Sequence, residues 1–140
     1  MQSFGWLAQP AVLPWFALFF GLCIGSFLNV VIHRLPKIME REWRAECAEL
    51  AGQPAAAEPP LSLVAPRSRC PGCGHGITAL ENIPLLSWIV LKGKCSKCGT
   101  KISVRYPLVE LLAGIGAAYS AWRFGPTMAA LGAALFVWFT

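Results

Sequence analysis

The sequence predicts an α-helical integral membrane protein: two full transmembrane helices, the start of a third, and a long cysteine-rich loop between the first two. Three observations lead there. Of the 140 residues 56% are hydrophobic and 14% charged, against roughly 25% charged in an ordinary soluble domain. Residues 1–32 carry no charged side chain. Eleven of the twelve Lys and Arg fall between Arg34 and Arg105, leaving only Arg123 outside. A net charge of +5 distributed in this way excludes a basic nucleic-acid binder, which would lack long apolar spans. All seven acidic residues are Glu, so chemistry needing an aspartate pair is beyond these residues alone.

The first span is the uncharged run 11–32, AVLPWFALFFGLCIGSFLNVVI. At about 1.5 Å per residue it crosses a hydrocarbon core of roughly 30 Å. A cleaved signal peptide would need a basic start and a small-residue cleavage site. Here the start is uncharged, and the run ends at Asn29, His33 and Arg34. The second span covers 107–122, entered through Arg105-Tyr106-Pro107. Arg123-Phe124-Gly125-Pro126 then turns the chain. A third apolar run, 126–140, holds 15 residues, about 22 Å of helix. It is too short to cross, and the sequence is expected to be truncated at Thr140.

The loop 33–106 holds nearly all the positive charge, which places it in the cytoplasm and the N-terminus outside. Arg34, Lys37, Lys101 and Arg105 lie nearest the membrane and carry most weight; Arg123 on the outer turn opposes weakly. Within the loop, Lys37–Ala51 reads as a short amphipathic helix. Met39, Trp43, Cys47 and Leu50 recur at helical spacing, Glu40 can pair with Arg44, and Gly52 is a stop. Its expected role is interfacial, without chemistry. Gln53–Pro60 reads as a Pro/Ala linker.

Chemistry concentrates in Cys70-Pro71-Gly72-Cys73 and Cys95-Ser96-Lys97-Cys98, two CxxC pairs separated by 21 residues. Pairs so spaced suit a tetrahedral Zn²⁺ held by Cys70, Cys73, Cys95 and Cys98. Gly74 and Gly99 let each knuckle turn sharply. Four thiolates leave no open position, so the zinc is structural, in a zinc-ribbon-like module spanning 66–102. Disulfides need an oxidising compartment, at odds with a cytoplasmic loop. A redox CxxC would be a single pair in a βαβ setting. His75 is an alternative ligand, though four thiolates already saturate the ion. Cys23 and Cys47 read as small hydrophobes. Lys92, Lys94, Lys97 and Lys101 surround the second knuckle, either as a solvated face beside anionic lipid or as a docking surface.

Gly21, Gly25 and Asn29, with Ser26 adjacent, recur every four residues in the first span and suit close helix packing. Glu110, in line with Gly114 and Ala118, is either part of a packing seam or a group that organises a site.

Several of these stretches, in this order, carry a resemblance. Gly25-Ser26-Phe27-Leu28-Asn29-Val30-Val31-Ile32-His33-Arg34-Leu35-Pro36, Pro66–Cys73, Glu81–Trp88, Cys95–Cys98 and Arg105–Leu112 resemble the bacterial type IV prepilin leader peptidases. The likeness covers roughly residues 19–125. It implies a bifunctional multi-pass enzyme of the bacterial inner membrane. Such an enzyme cleaves the basic leader from type IV prepilins or type II secretion pseudopilins after a glycine. It then methylates the new N-terminus, usually phenylalanine, using S-adenosylmethionine. The resemblance also implies a GxGD-type aspartyl protease whose two aspartates follow the third span, and they are expected beyond Thr140. No residue here matches them, so no catalytic residue is assigned. No glycine-rich loop of the soluble S-adenosylmethionine-binding kind is visible, and the cofactor-binding residues stay unassigned. The sequence is therefore read as the N-terminal part of that enzyme. A non-catalytic zinc-stabilised membrane module docking prepilins or pilus machinery is the alternative, and a methyltransferase without the protease is a third.

Overall fold

The computed structural model describes residues 9–54 and 59–139. Helix dominates, and among the described residues there is no β-strand, only the isolated bridges Arg69–Gly76 and Lys94–Lys101. The elements are α1 (Leu13–Leu50), a 3-10 turn (Leu80–Asn82), α2 (Leu86–Val90), α3 (Arg105–Phe124) and α4 (Met128–Phe139).

Helix α1 runs for 38 residues, about 57 Å at the standard rise. The apolar run and the amphipathic segment, expected as separate helices, are thus one continuous rod. Pro36 lies inside it. Proline withholds a single N–H, the donor to Ile32, and a helix held on both sides by many other bonds accommodates that loss. Beyond Pro36 the helix is polar and carries the expected Arg44–Glu40 ion pair at 2.6 Å. It stops at Gly52, whose φ of +64° ends helical geometry without a Cβ clash. Part of the Pro/Ala linker, residues 55–58, lies outside the described residues.

By length and composition, α1 is the one helix among the described residues long and apolar enough to cross a membrane; α4 is apolar but has only 12 residues. The third apolar run, expected over 126–140, is helical only from Met128 to Phe139. Pro126 and Thr127 belong to the turn before it, and Thr140, the end assigned to that run, lies outside the described residues. Helix α3 begins two residues before the expected span. Pro107 sits in its first turn, where a missing N–H costs nothing. Gly125, at φ +63°, makes the turn into α4.

Helices α1 and α3 pack through small residues. Gly21 and Gly25 are buried on α1; Ala113, Gly114, Ala117 and Ala121 are buried on α3. A Cβ added to Gly21 would meet Ala113 O at 2.7 Å and Gly114 Cα at 2.8 Å, so the backbones touch. Of the seam expected through Gly114 and Ala118, Gly114 lies in it, while Ala117 takes the next position and Ala118 is half-buried. Helix α4 joins α3, with Trp138 Nε1 donating to Ala113 O at 3.1 Å. Among the described residues no large side chain is fully buried. Trp15, Phe19, Ile115, Trp122 and Phe136 all face outward, and so does Cys23. The interior between the helices is thus glycine and alanine beneath an apolar exterior.

Candidate metal centre and adjoining cavity

The two knuckles share one backbone plan. Cys70 N donates to His75 O and Gly74 N to Cys70 O, both at 2.9 Å; Cys95 N donates to Thr100 O at 2.9 Å and Gly99 N to Cys95 O at 3.0 Å. Gly74 and Gly99 take φ of +71° and +70°, the left-handed region where only glycine sits without strain. Gly72 is required for another reason, since a Cβ there would collide with Thr100 Oγ1 on the opposite knuckle.

These turns bring the Sγ atoms of Cys70, Cys73, Cys95 and Cys98 within 4.8 Å of one another, a set that can hold a metal ion. Cys70–Cys98 and Cys73–Cys95 are 3.6 and 4.0 Å apart. A tetrahedron of sulfurs at about 2.3 Å from zinc has edges of about 3.8 Å, so the pocket fits that ion. The electrostatics agree. The hydroxyl and backbone amide of Thr100 hold the Cys98 thiol down to about 6. The amides of Cys73 and Gly72 lower Cys70. At Cys73 the His75 amide pulls down, but the neighbouring Cys98 thiol, desolvation and the remaining thiols prevail and push it up to about 12. Four sulfurs this close cannot all ionise unaided, and a bound dication removes that conflict.

His75 stands outside the sulfur cluster. Its Nε2 faces both oxygens of Glu81, at 3.2 and 3.3 Å. Glu81 also accepts from Thr78 N at 2.8 Å, Thr78 Oγ1 at 2.9 Å and Ser96 Oγ. The Ser96 and Thr78 donors hold its carboxyl down at about 2. Because Ser96 lies on one knuckle and His75 beside the other, Glu81 clips the two together. The sequence reading missed this role, although Thr78-x-x-Glu81 is a capping-box pattern. Glu81 N, within the 3-10 turn, donates back to Thr78 Oγ1 at 3.3 Å.

Two further residues bind the loop to the helices. Arg34, 9% exposed, donates to Ser62 O at 2.8 Å, Leu63 O at 3.4 Å and Pro66 O at 2.5 Å. Read from sequence it is only a charge near the membrane; in the fold it anchors the chain leading into the first knuckle. Glu110 Oε2 accepts from Leu85 N at 2.8 Å. Leu85 has a φ of +58°, costly for a leucine, and the carboxylate holds it there. Glu110 is thus both in the packing seam, where Gly25 meets its Cα, and an organiser of the loop.

Between α1, the start of α3 and the cysteine module lies a cavity of about 600 Å³. Asn29, Arg69, Glu81, Trp88, Tyr106 and Glu110 are among its lining residues. The volume falls within the roughly 300–1,000 Å³ of small-ligand sites. Its wall mixes acceptors, cations and aromatic faces.

The family model for the bacterial peptidase A24 N-terminal domain matches residues 19–124. A protein of Stutzerimonas stutzeri named prepilin leader peptidase/N-methyltransferase is 50% identical over 134 residues, 94% of this chain and 46% of that protein. Proteins of the same name from Pseudomonas aeruginosa and Aeromonas hydrophila are 48% and 52% identical over 132 residues; the match takes in 94% and 90% of this chain and 46% of each relative. The chain therefore spans about half the length of the curated relatives it matches. No solved structure matches it. With the four-cysteine module set on a helical anchor and these matches across most of its length, the chain belongs to the bacterial peptidase A24 family, in its N-terminal domain.

Proposed function

We propose that this chain is the N-terminal part of an inner-membrane enzyme that removes the leader of type IV prepilins or type II secretion pseudopilins and N-methylates the new end. Its contribution is to the methylation half. The observation that carries this is the cavity, walled by the membrane-length helix on one side and the cysteine module on the other. Proteolysis by an aspartyl mechanism needs residues other than these, because the sequence has no Asp. An aspartate pair for that step would have to come from outside these 140 residues, and the chain spans 46% of the first relative's length.

Cys70, Cys73, Cys95 and Cys98 hold a structural zinc ion, which supplies cross-linking of the loop rather than catalysis, since four protein ligands close its coordination sphere. The methyl donor is S-adenosylmethionine. Transfer to nitrogen forms a C–N bond, breaks the donor's S–CH₃ bond and releases one proton. A cavity offering Glu81 and Glu110 as well as Arg69 and Lys101 suits a ligand carrying both charges.

Helix α1 crosses the bilayer, α3 is the second membrane helix and α4 opens the third. The outward-facing Trp, Phe, Leu and Ile side chains of all three support contact with lipid. The Lys/Arg-rich module faces the cytoplasm and the N-terminus faces outward.

The test uses the chain in lipid nanodiscs with S-adenosylmethionine and a pilin-like peptide starting in phenylalanine. Mass spectrometry is expected to show one added methyl at the peptide N-terminus. Absence of both methylation and S-adenosylmethionine binding would leave the docking module as the better reading. Separately, a membrane-impermeant thiol reagent applied to intact cells should not reach Cys73 or Cys98; labelling there would reverse the topology.

A further inference from the structure

Asn29 Oδ1 is the one buried side-chain polar atom among the described residues without a hydrogen-bond partner. Turning the amide over does not help. Nδ2 already faces two carbonyl oxygens, Gly25 O at 3.3 Å and Tyr106 O at 3.0 Å, so an oxygen in its place would oppose two acceptors. Oδ1 is therefore an acceptor awaiting a donor, on a residue only 3% exposed, and Asn29 lines the cavity. Buried acceptors are rarely left unpaired, and each such case calls for an explanation.

Glu110 faces the same corner. Asn29 is bonded to Tyr106, one turn before Glu110, and Gly25, one turn before Asn29, packs on Glu110 Cα. Oε2 of Glu110 is taken by the Leu85 amide, which leaves Oε1 for another donor. Three nearby cations are already engaged, while Arg67, Arg69 and Lys101 also line the cavity. Arg34 serves the carbonyls of Ser62, Leu63 and Pro66, Lys37 pairs with His33, and Arg105 stacks on Tyr106. What fits a neutral acceptor beside an anionic one is a small cation with several N–H donors. Two oxygens are too few for a hard metal ion, which takes six or more.

We propose that Asn29 Oδ1 and Glu110 Oε1 form a subsite for a primary α-ammonium group at the α1–α3 end of the cavity. The proposal rests on the reading of the cavity as the methylation site and deepens it. Two ligands carry that group: the free N-terminus of a processed pilin, and the amino-acid end of S-adenosylmethionine.

The test measures binding to the chain in nanodiscs by calorimetry, with zinc content checked for every sample. The probes are a peptide with a free N-terminal phenylalanine, the same peptide N-acetylated, S-adenosylhomocysteine, and its N-acetyl derivative. The source whose blocked form binds about tenfold or more weaker is the occupant, a ratio matching one charge-assisted hydrogen bond. Glu110→Gln, which keeps an acceptor for Leu85, should erase that preference; Asn29→Leu should weaken the free amine likewise. If free and blocked probes bind the wild-type chain equally, water meets these acceptors and the subsite is wrong, while the cavity reading stands. If no probe binds at all, the cavity reading falls and the subsite with it. Because the wild-type comparison decides, a variant that fails to fold does not rescue the idea.

Discussion

Replacing Gly25 by alanine places a methyl group where α3 already is. The new Cβ would lie 2.6 Å from Glu110 Cα, 2.9 Å from Ala113 Cβ and 3.1 Å from Val109 O. Carbon atoms rest about 3.5–4.0 Å apart, so the helices must part by roughly 1 Å at this level. None of the three obstructing atoms can rotate away, because two are backbone and the third is attached directly to it. Overpacking of this kind costs about 1–3 kcal/mol. A shift of that size also stretches the 3.0 Å bond from Asn29 to Tyr106 O past useful length, costing about 1 kcal/mol more. Alanine's better helix propensity offsets about 1 kcal/mol, leaving a net loss of about 1–3 kcal/mol. Unfolding of the chain in mixed micelles, followed by tryptophan fluorescence, reads this directly. Gly132→Ala on α4 is the control, since its Cβ would meet nothing within 4 Å; it should be neutral or stabilising. If Gly25→Ala unfolds with wild-type stability while the control behaves as stated, the α1–α3 seam is not closed at Gly25.

Metal analysis of freshly reduced protein should find about one zinc per chain, absent in Cys70→Ser and Cys98→Ser. Chelation should then open the loop 66–102 to protease, given binding energies of order 10 kcal/mol for structural zinc; an unchanged digest would argue against a metal-held loop. Loading should release protons at pH 7, because Cys73, pushed up to about 12, is a thiol until the ion binds, whereas Cys98, held down to about 6, is already ionised. Affinity should accordingly fall as pH drops through about 6, where Cys98 takes up its proton; calorimetric heats identical in buffers of different ionisation enthalpy would contradict this. Arg34→Met should cost about 1–3 kcal/mol by stranding three carbonyls and speed cleavage within residues 61–69 with zinc retained; an unaltered cleavage pattern would show that Arg34 does not anchor the segment.

The structure bears on the sequence reading unevenly. The four cysteines do converge, and the glycines after each knuckle take the left-handed turns that their position suggested. The helix expected at Lys37–Ala51 exists but not as a separate element, because continuous hydrogen bonding carries α1 past Pro36 to Leu50. The 3-10 turn at Leu80–Asn82 and helix α2 at Leu86–Val90 were not foreseen. Five-residue and three-residue elements hold too few periodic positions to show a pattern. Glu81 was readable as a capping-box residue through Thr78, yet its bond to Ser96 was not.

What the sequence determined by itself is whatever depends on near neighbours: the uncharged run that becomes the first half of α1, the concentration of positive charge between Arg34 and Arg105, and the CxxC turns that preset each pair of thiols. What only the tertiary structure decided is the fate of the isolated polar groups. Asn29 meets Tyr106 across 77 residues, Arg34 meets Ser62 across 28, and Glu110 meets Leu85 across 25. Each of these side chains could have faced water or lipid as easily as the interior. Their partners are backbone atoms, which any residue type supplies, so side-chain identity at the far end carries no trace of the contact. The close approach of α1 and α3, glycine against backbone, brings the first pair together, and the packing of the loop on these helices brings the other two.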